Sequence, residues 1–183
     1  MAAIKKKDKK NAMAVINQNI KSGEFARIYL LYGEERYLVN QYRDKLLEAL
    51  VDKDDNLNFM KFAGNGINTT ELIDFCNEMP FFADRRVVLV ENSGLFKNSN
   101  EDFAKKLVEI EETSVVIFVE MDVDTRYKLF KAVDKNGEAL EFVTPDEKMM
   151  VTWVKSLFRA ENVATTDIAI YRIIEAAHMD MNC

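Results

Sequence analysis

Residues 79–92 read Met-Pro-Phe-Phe-Ala-Asp-Arg-Arg-Val-Val-Leu-Val-Glu-Asn, and this stretch joins a predicted helix to a predicted strand. Pro80 should stop the helix, because proline lacks an amide hydrogen and clashes with the preceding turn. The run that starts at Val87 is apolar and β-branched, as is typical of a buried strand. Phe81 and Phe82 therefore lie on a connection, where a pair of rings is either a cap over the core or a protruding anchor.

The composition predicts a folded, acidic protein with one full domain and part of a second. The chain has 183 residues, is 48% hydrophobic and carries a net charge of −6. Residues 1–10 hold five lysines and one aspartate, so the rest of the chain carries 20 basic against 30 acidic groups. An acidic body argues against a broad basic face for nucleic-acid phosphates. We interpret the lysine-rich start as a solvated tail and assign it no function.

The cysteines and the single histidine do not suffice for a metal site. Cys76 and Cys183 form no CxxC motif, and His178 is expected to pack or cap near a helix end. Isolated cysteines are typical of a reducing compartment. No apolar run reaches the roughly 18 residues of a membrane span, and no apolar segment follows the basic start as in a secretory signal. We therefore expect a cytoplasmic protein.

Strands and helices alternate through most of the chain. A short helix is predicted at 11–21, and helical periodicity fills the segments between the predicted strands at 28–32, 58–62, 86–91, 114–119 and 139–143. The run at 114–119 is apolar on both faces, which indicates a central strand. These patterns predict a parallel, doubly wound α/β sheet over residues 1–145.

Helix boundaries and buried faces follow from the same periodicity. Asn68 is placed to begin a helix whose buried face would include Phe75 and Met79 and which Pro80 would end. Beyond residue 145 the pattern is helical only. The first of two helices carries an apolar stripe formed by Met150, Trp153, Val154, Leu157 and Phe158. The second, capped by Thr165 or Thr166, carries Ile168, Tyr171 and Ile174. We predict that residues 146–183 begin a small all-helical domain in a truncated chain.

The first strand–glycine–helix unit is where a nucleotide-binding loop would lie. When the P-loop pattern is placed on Gly33, its second glycine falls on Leu38, its lysine on Val39 and its hydroxyl residue on Asn40. Leu38 adds a side chain where backbone must approach phosphate, Val39 has no charge, and Asn40 is a poor magnesium ligand. The sequence therefore predicts a nucleotide-type scaffold with a degenerate loop and no cofactor.

Carboxylates at the same sheet edge offer an enzymic alternative. Glu34 and Glu35 follow the first strand, where they would repel a phosphate. Together with Glu120, Asp122 and Asp124 after the fourth strand, they could instead hold Mg²⁺ for phosphoryl transfer. Asp124 is equally placed to cap the next helix. A magnesium-dependent phosphoryl-transfer enzyme is therefore the alternative function.

Three segments together resemble a known family: residues 28–40 (IYLLYGEERYLVN), residues 79–92 and residues 115–120. They are similar to the delta subunit of the bacterial DNA polymerase III clamp loader, and the likeness extends over the whole chain. The resemblance implies an AAA+-like first domain, a small helical second domain and a third, collar domain. The collar and the rest of the second domain would be missing here. The resemblance also implies no ATP hydrolysis, in agreement with the degenerate loop.

The same resemblance implies a partner and a contact surface. Members of this family grip the ring-shaped sliding clamp and open it during DNA replication, and they assemble with the gamma or tau and delta prime subunits of the loader. The clamp contact maps onto Phe81 and Phe82, with Met79 and Pro80 shaping the approach. The two arginines that follow are expected to be structural or rim charges. The resemblance implies no catalysis by this chain, indirect contact with DNA, and no contact with a membrane.

Overall fold

Five parallel strands form one sheet in the first of two compact units, Met1–Phe142 and Val143–Cys183. In chain order they are β1 (Ile28–Gly33), β2 (Phe59–Ala63), β3 (Arg86–Glu91), β4 (Ser114–Glu120) and β5 (Glu138–Phe142). Their order in the sheet is β2-β3-β4-β1-β5. The computed structural model describes residues 11–52, 55–143, 147–160 and 163–176, so the interpretations of the lysine-rich start, His178 and Cys183 lie outside the described residues. The predicted parallel α/β fold is confirmed.

Helices cover both faces of this sheet. On one face lie α1 (Ala12–Ser22) and α2 (Arg36–Leu50), and α2 packs against β1, β4 and β5. On the other face lie α3 (Thr69–Asn77), α4 (Glu101–Val108) and α5 (Lys128–Asn136). Successive strand residues point to opposite faces, so Ile28 and Leu30 join the core under α3, α4 and α5, whereas Tyr29 and Leu31 are buried on the other side.

The central strand is β4, as its sequence predicts. All of its residues from Ser114 to Glu120 are buried, and it pairs with β3 on one side and with β1 on the other. A strand covered on both faces must be apolar on both faces, which explains the unbroken run from Val115 to Val119.

The end of α3 differs from the sequence prediction. Asn68 caps its start as predicted, accepting hydrogen bonds from the N–H groups of Thr70 and Glu71 at 3.2 Å. The helix ends at Asn77, however, and not at Pro80. Met79 was predicted to lie on its buried face, which is wrong, because Met79 follows the helix and is exposed. The residue before a proline is disfavoured in helical conformation, so the chain leaves the helix early.

The second unit contains α6 (Glu147–Ala160) and α7 (Asp167–Ala176) among the described residues. Thr166 caps α7, because its hydroxyl accepts a hydrogen bond from the Ala169 N–H at 3.3 Å. Ile168 and Tyr171 are exposed, whereas Ile170 and Ile174 are buried. In the described part of the chain, no helix is long and apolar enough to cross a membrane.

Candidate functional site

An exposed apolar tip, residues 79–82, connects α3 to β3. Met79 is 86% exposed, Phe81 57% and Phe82 95%. Pro80 between them is partly buried. The two rings contact each other edge to face, with their centroids 4.6 Å apart. Of the two arrangements that the sequence allows, a cap over the core and a protruding anchor, the rings adopt the protruding one.

Asn58, the residue before β2, holds the backbone of the apolar tip. The Phe81 N–H donates to Asn58 Oδ1 at 2.7 Å, and Asn58 Nδ2 donates back to the Phe81 carbonyl oxygen at 2.9 Å. Asn58 Nδ2 also donates to Asp55 Oδ2 at 2.8 Å, and this bond is the main reason that the pKa of Asp55 is lowered. Asn58 itself is buried. The asparagine amide therefore replaces a strand partner for a residue that lies on a loop.

Arg86 supports the apolar tip from the other side. Its guanidinium is buried, donates from Nε to the Met79 carbonyl oxygen at 3.2 Å and pairs with Glu78 at 2.9 Å. It also stacks over the Phe75 ring at 4.4 Å. A planar guanidinium with several donors suits this combination of carbonyl, carboxylate and ring. The end of α3 and the start of the apolar tip are therefore fixed to the first residue of β3.

The backbone at Phe82 is strained. Its φ is +50°, in the left-handed region that residues with a side chain rarely adopt. Such a conformation costs on the order of 1 kcal/mol and persists only where the surrounding contacts determine it. Here the bonds to Asn58 fix the preceding residue, so the Phe82 ring is presented outward in a defined conformation.

Sequence reasoning missed the supporting role of Asn58. It recognised a strand near residue 58, but no local signal links that residue to Phe81, which lies 23 positions further along the chain. The structural interpretation of the two arginines agrees with their contacts, since Arg86 is buried and Arg85 lies 5.1 Å from the centre of the Phe25 ring.

The predicted degenerate loop follows β1 at the opposite edge of the sheet. Leu38 and Val39, which stand at the glycine and lysine positions of the P-loop pattern, are buried in α2. The Asn40 side chain accepts a hydrogen bond from Arg43 at 3.2 Å. Gly33 has a φ of +129°, and a Cβ added there would lie 2.1 Å from a carbonyl oxygen of β5. This glycine is therefore required by the close approach of β5, independently of any phosphate.

A cavity of about 930 Å³ lies at this carboxyl edge of the sheet. It is lined by residues that follow β1, including Glu34 and Arg36, and by residues 121–126, which follow β4. Because β1 and β4 are neighbours at the point where the strand order reverses, this is where a doubly wound sheet ordinarily binds a ligand. The walls carry carboxylates and cations together, so the cavity has no predominant positive charge for a polyphosphate.

Two of the carboxylates proposed for Mg²⁺, Glu120 and Asp122, are bonded to other partners. Glu120 is buried and accepts hydrogen bonds from the N–H of Ser93 at 2.9 Å, from the Ser93 hydroxyl and from the N–H of Gly94 at 3.2 Å. Asp122 pairs with Lys97 at 2.7 Å. Within residues 11–52, 55–143, 147–160 and 163–176, no three His, Cys, Asp or Glu side chains lie together as a metal site requires.

The helix-capping alternative for Asp124 is wrong. The residue before α5 is Tyr127, whereas Asp124 accepts a hydrogen bond from the N–H of Arg126 and pairs with its guanidinium at 2.6 Å. These bonds to Arg126 lower the pKa of Asp124 to about 2. The Asp124 carboxylate is therefore bonded within a local turn with Arg126 and does not cap α5.

Comparison with known proteins agrees with this fold. A family described as "DNA polymerase III, delta subunit" matches residues 29–143. The DNA polymerase III subunit delta of Bacillus subtilis is 23% identical over 161 residues, which cover 79% of this chain and 45% of that protein. The chain therefore spans about half the length of the curated relative that it matches.

Two solved structures share the architecture. The clamp loader delta protein of Bacillus subtilis superposes with a TM-score of 0.74 at 20% identity, covering 88% of this chain and 51% of that one. A protein of Thermotoga maritima related to the DNA polymerase III gamma subunit superposes with a TM-score of 0.52 at 15% identity, covering 86% and 57%. At these identities the structures establish the fold alone. Because the family match covers more than half of the sequence, the chain belongs to the DNA polymerase III delta subunit family.

Proposed function

We propose that this protein is a clamp-loader delta subunit that binds the sliding clamp through the apolar tip and favours the open ring during DNA replication. The observation that carries the proposal is the exposure of Phe81 and Phe82 on a preformed loop in a member of this family. Phenylalanine buries a large area while few rotatable bonds become fixed, so two adjacent rings make an efficient anchor for an apolar pocket.

The supports of the apolar tip add to this argument. Asn58 and Arg86 hold its backbone through hydrogen bonds that do not involve the rings. The rings therefore remain available to a partner, and little conformational freedom is lost when they bind. A preorganised loop binds more tightly than a flexible one that carries the same side chains.

Clamp opening requires no chemistry from this chain. A protein that binds the open or strained ring more tightly than the closed ring shifts the ring toward opening by that difference in binding free energy. We propose that the chain is not catalytic and binds no nucleotide, since Leu38 and Val39 are buried where a P-loop would meet phosphate. ATP control would then come from other subunits of the loader. DNA would be contacted indirectly, through the assembled loader.

The proposal is tested by equilibrium binding of the purified chain to the sliding clamp of the same organism. Replacing both Phe81 and Phe82 with alanine should weaken binding by about 2–4 kcal/mol, or roughly 30-fold or more. Met121→Ala is a matched control, because Met121 is 61% exposed and lies after β4 at the opposite edge of the sheet. It should bind as the wild type does. Equal binding by the double variant and the wild type would refute the proposal.

A further inference from the structure

Leu57 is a second exposed apolar residue beside the apolar tip. It is 62% exposed and lies just before β2, at the same edge of the sheet as residues 79–82. Its carbonyl oxygen accepts a hydrogen bond of 3.5 Å from Arg86 Nη1, and the same guanidinium donates to the Met79 carbonyl oxygen. One arginine therefore joins the backbone of Leu57 to the backbone of the tip.

Hydrogen bonds also hold the backbone at Leu57. Its N–H donates to Asp55 Oδ1 at 3.0 Å. The next residue, Asn58, is bonded in both directions to Phe81. The Leu57 N–H is thus bonded to Asp55, its carbonyl oxygen to Arg86, and the residue that follows it to the tip.

Exposed apolar residues are concentrated at this place. In the described part of Met1–Phe142, six large apolar side chains are exposed: Tyr37, Leu57, Met79, Phe81, Phe82 and Met121. Four of these six are Leu57 and the three exposed residues of the apolar tip. A single exposed leucine needs no explanation, but four exposed apolar side chains on two segments that Arg86 and Asn58 hold together mark an interaction surface.

We propose that the docking surface for the sliding clamp is formed by two separate segments of the chain, and that Leu57 is a further contact residue. This inference rests on the proposed function, because the occupant is the clamp already assigned to the apolar tip. The shared Arg86 and Asn58 contacts place both segments before the amino ends of adjacent strands, on the same side of the sheet as the tip. The clamp pocket would therefore be wide enough to cover both segments.

Four proteins test the inference in one titration against the sliding clamp: the wild type, Leu57→Ala, Met121→Ala, and the variant with alanine at both Phe81 and Phe82. Leu57 and Met121 have nearly equal exposure, 62% and 61%, and lie at opposite edges of the sheet. Leu57→Ala should bind about 5- to 10-fold more weakly than the wild type, as for a contributing interface residue. Met121→Ala should bind as tightly as the wild type.

The outcomes separate this inference from the proposed function. If the double phenylalanine variant binds weakly while Leu57→Ala equals the wild type, the inference is overturned and the proposed function stands. If the double variant equals the wild type, the proposed function fails and the inference fails with it. Leu57→Met and Leu57→Gln check that the loss follows apolar area. The methionine variant should bind nearly as the wild type, the glutamine variant should bind weakly, and equal binding by both would overturn the inference.

Discussion

Asn58→Ala should weaken clamp binding although both phenylalanine rings remain. The substitution removes two hydrogen bonds to Phe81, at 2.7 and 2.9 Å, and one to Asp55 at 2.8 Å. A hydrogen bond contributes about 0.5–1.5 kcal/mol net, and the freed Phe81 groups are only partly buried and can turn to water. We therefore take the lower end of the sum and expect the free energy of unfolding to fall by about 2 kcal/mol.

The effect on affinity follows from the backbone of Phe82. Without the Asn58 side chain, the Phe81 backbone loses both of its bonds to that residue, and Phe82 can relax from its φ of +50°, a conformation that costs on the order of 1 kcal/mol. With about 1 kcal/mol favouring the relaxed backbone, the binding-competent tip is populated about one sixth of the time and the apparent affinity falls about 6-fold. Urea denaturation measures the stability, and calorimetric titration with the sliding clamp measures the affinity.

Two controls separate this role from a general loss of stability. Asn100→Ala removes a comparable side-chain bond to a backbone carbonyl, that of Leu95 at 2.5 Å, on the loop after β3. It should lower stability and leave clamp affinity unchanged. In a chain that already has alanine at 81 and 82, Asn58→Ala should cause little further loss of affinity, because its effect acts through the rings. Wild-type affinity in Asn58→Ala, or an equal loss without the rings, would refute the reasoning.

Three further predictions concern the core. Gly33→Ala should lower the free energy of unfolding by about 3 kcal/mol or more, since its Cβ would lie 2.1 Å from a β5 carbonyl oxygen; an unchanged urea midpoint would contradict this. Burial raises the pKa of Tyr29 and Tyr32 from 10.0 to about 12. The contribution of these two neutral phenols to the free energy of unfolding should therefore be fully present below pH 10 and be lost as the pH rises toward 12, as circular dichroism would show. Full tyrosinate absorbance of the folded protein at pH 10 would oppose that expectation. Burial likewise raises the pKa of the Cys76 thiol to about 12. In a Cys183→Ser background a thiol reagent at pH 8 should therefore modify Cys76 only after denaturation, and rapid native labelling would count against it.

The sheet was predictable because the composition of its strands indicates how far they are buried. The run from Val115 to Val119 is apolar at every position, and only a strand covered on both faces requires this. Gly33 also marks the end of β1 clearly. Glycine is required at this position because β5 approaches it closely, and β5 lies more than a hundred residues later in the chain. Local sequence does not show that contact, so it suggested a nucleotide-binding loop instead.

The tip was only partly predictable. A proline followed by two phenylalanines placed Phe81 and Phe82 on a connection, but local sequence cannot distinguish an inward ring from an outward one. The distinction depends on Asn58 and on Arg86. Asn58 holds the backbone of the tip although it lies 23 positions earlier in the chain, and Arg86 holds it through a buried guanidinium. The resemblance to delta subunits, and not the local sequence, indicated that the two rings point outward.

The errors have a common physical cause. Asp124 has a sequence context suited to capping, but its carboxylate forms a hydrogen bond and an ion pair with Arg126 instead. Met79 fits the helical spacing of α3, but the following proline ends the helix before it. Periodicity predicts the element well and its boundary or its exact face less well.

Hydrogen–deuterium exchange of the chain with and without the sliding clamp tests the central claim most directly. We expect the amides of Met79, Phe81 and Phe82, together with those near Leu57, to exchange more slowly when the clamp is present. The loop after β4, residues 121–126, lies at the opposite edge of the sheet and should be unaffected. Protection of that loop with none at residues 79–82 would contradict the account, because the clamp would then be bound at the degenerate nucleotide edge.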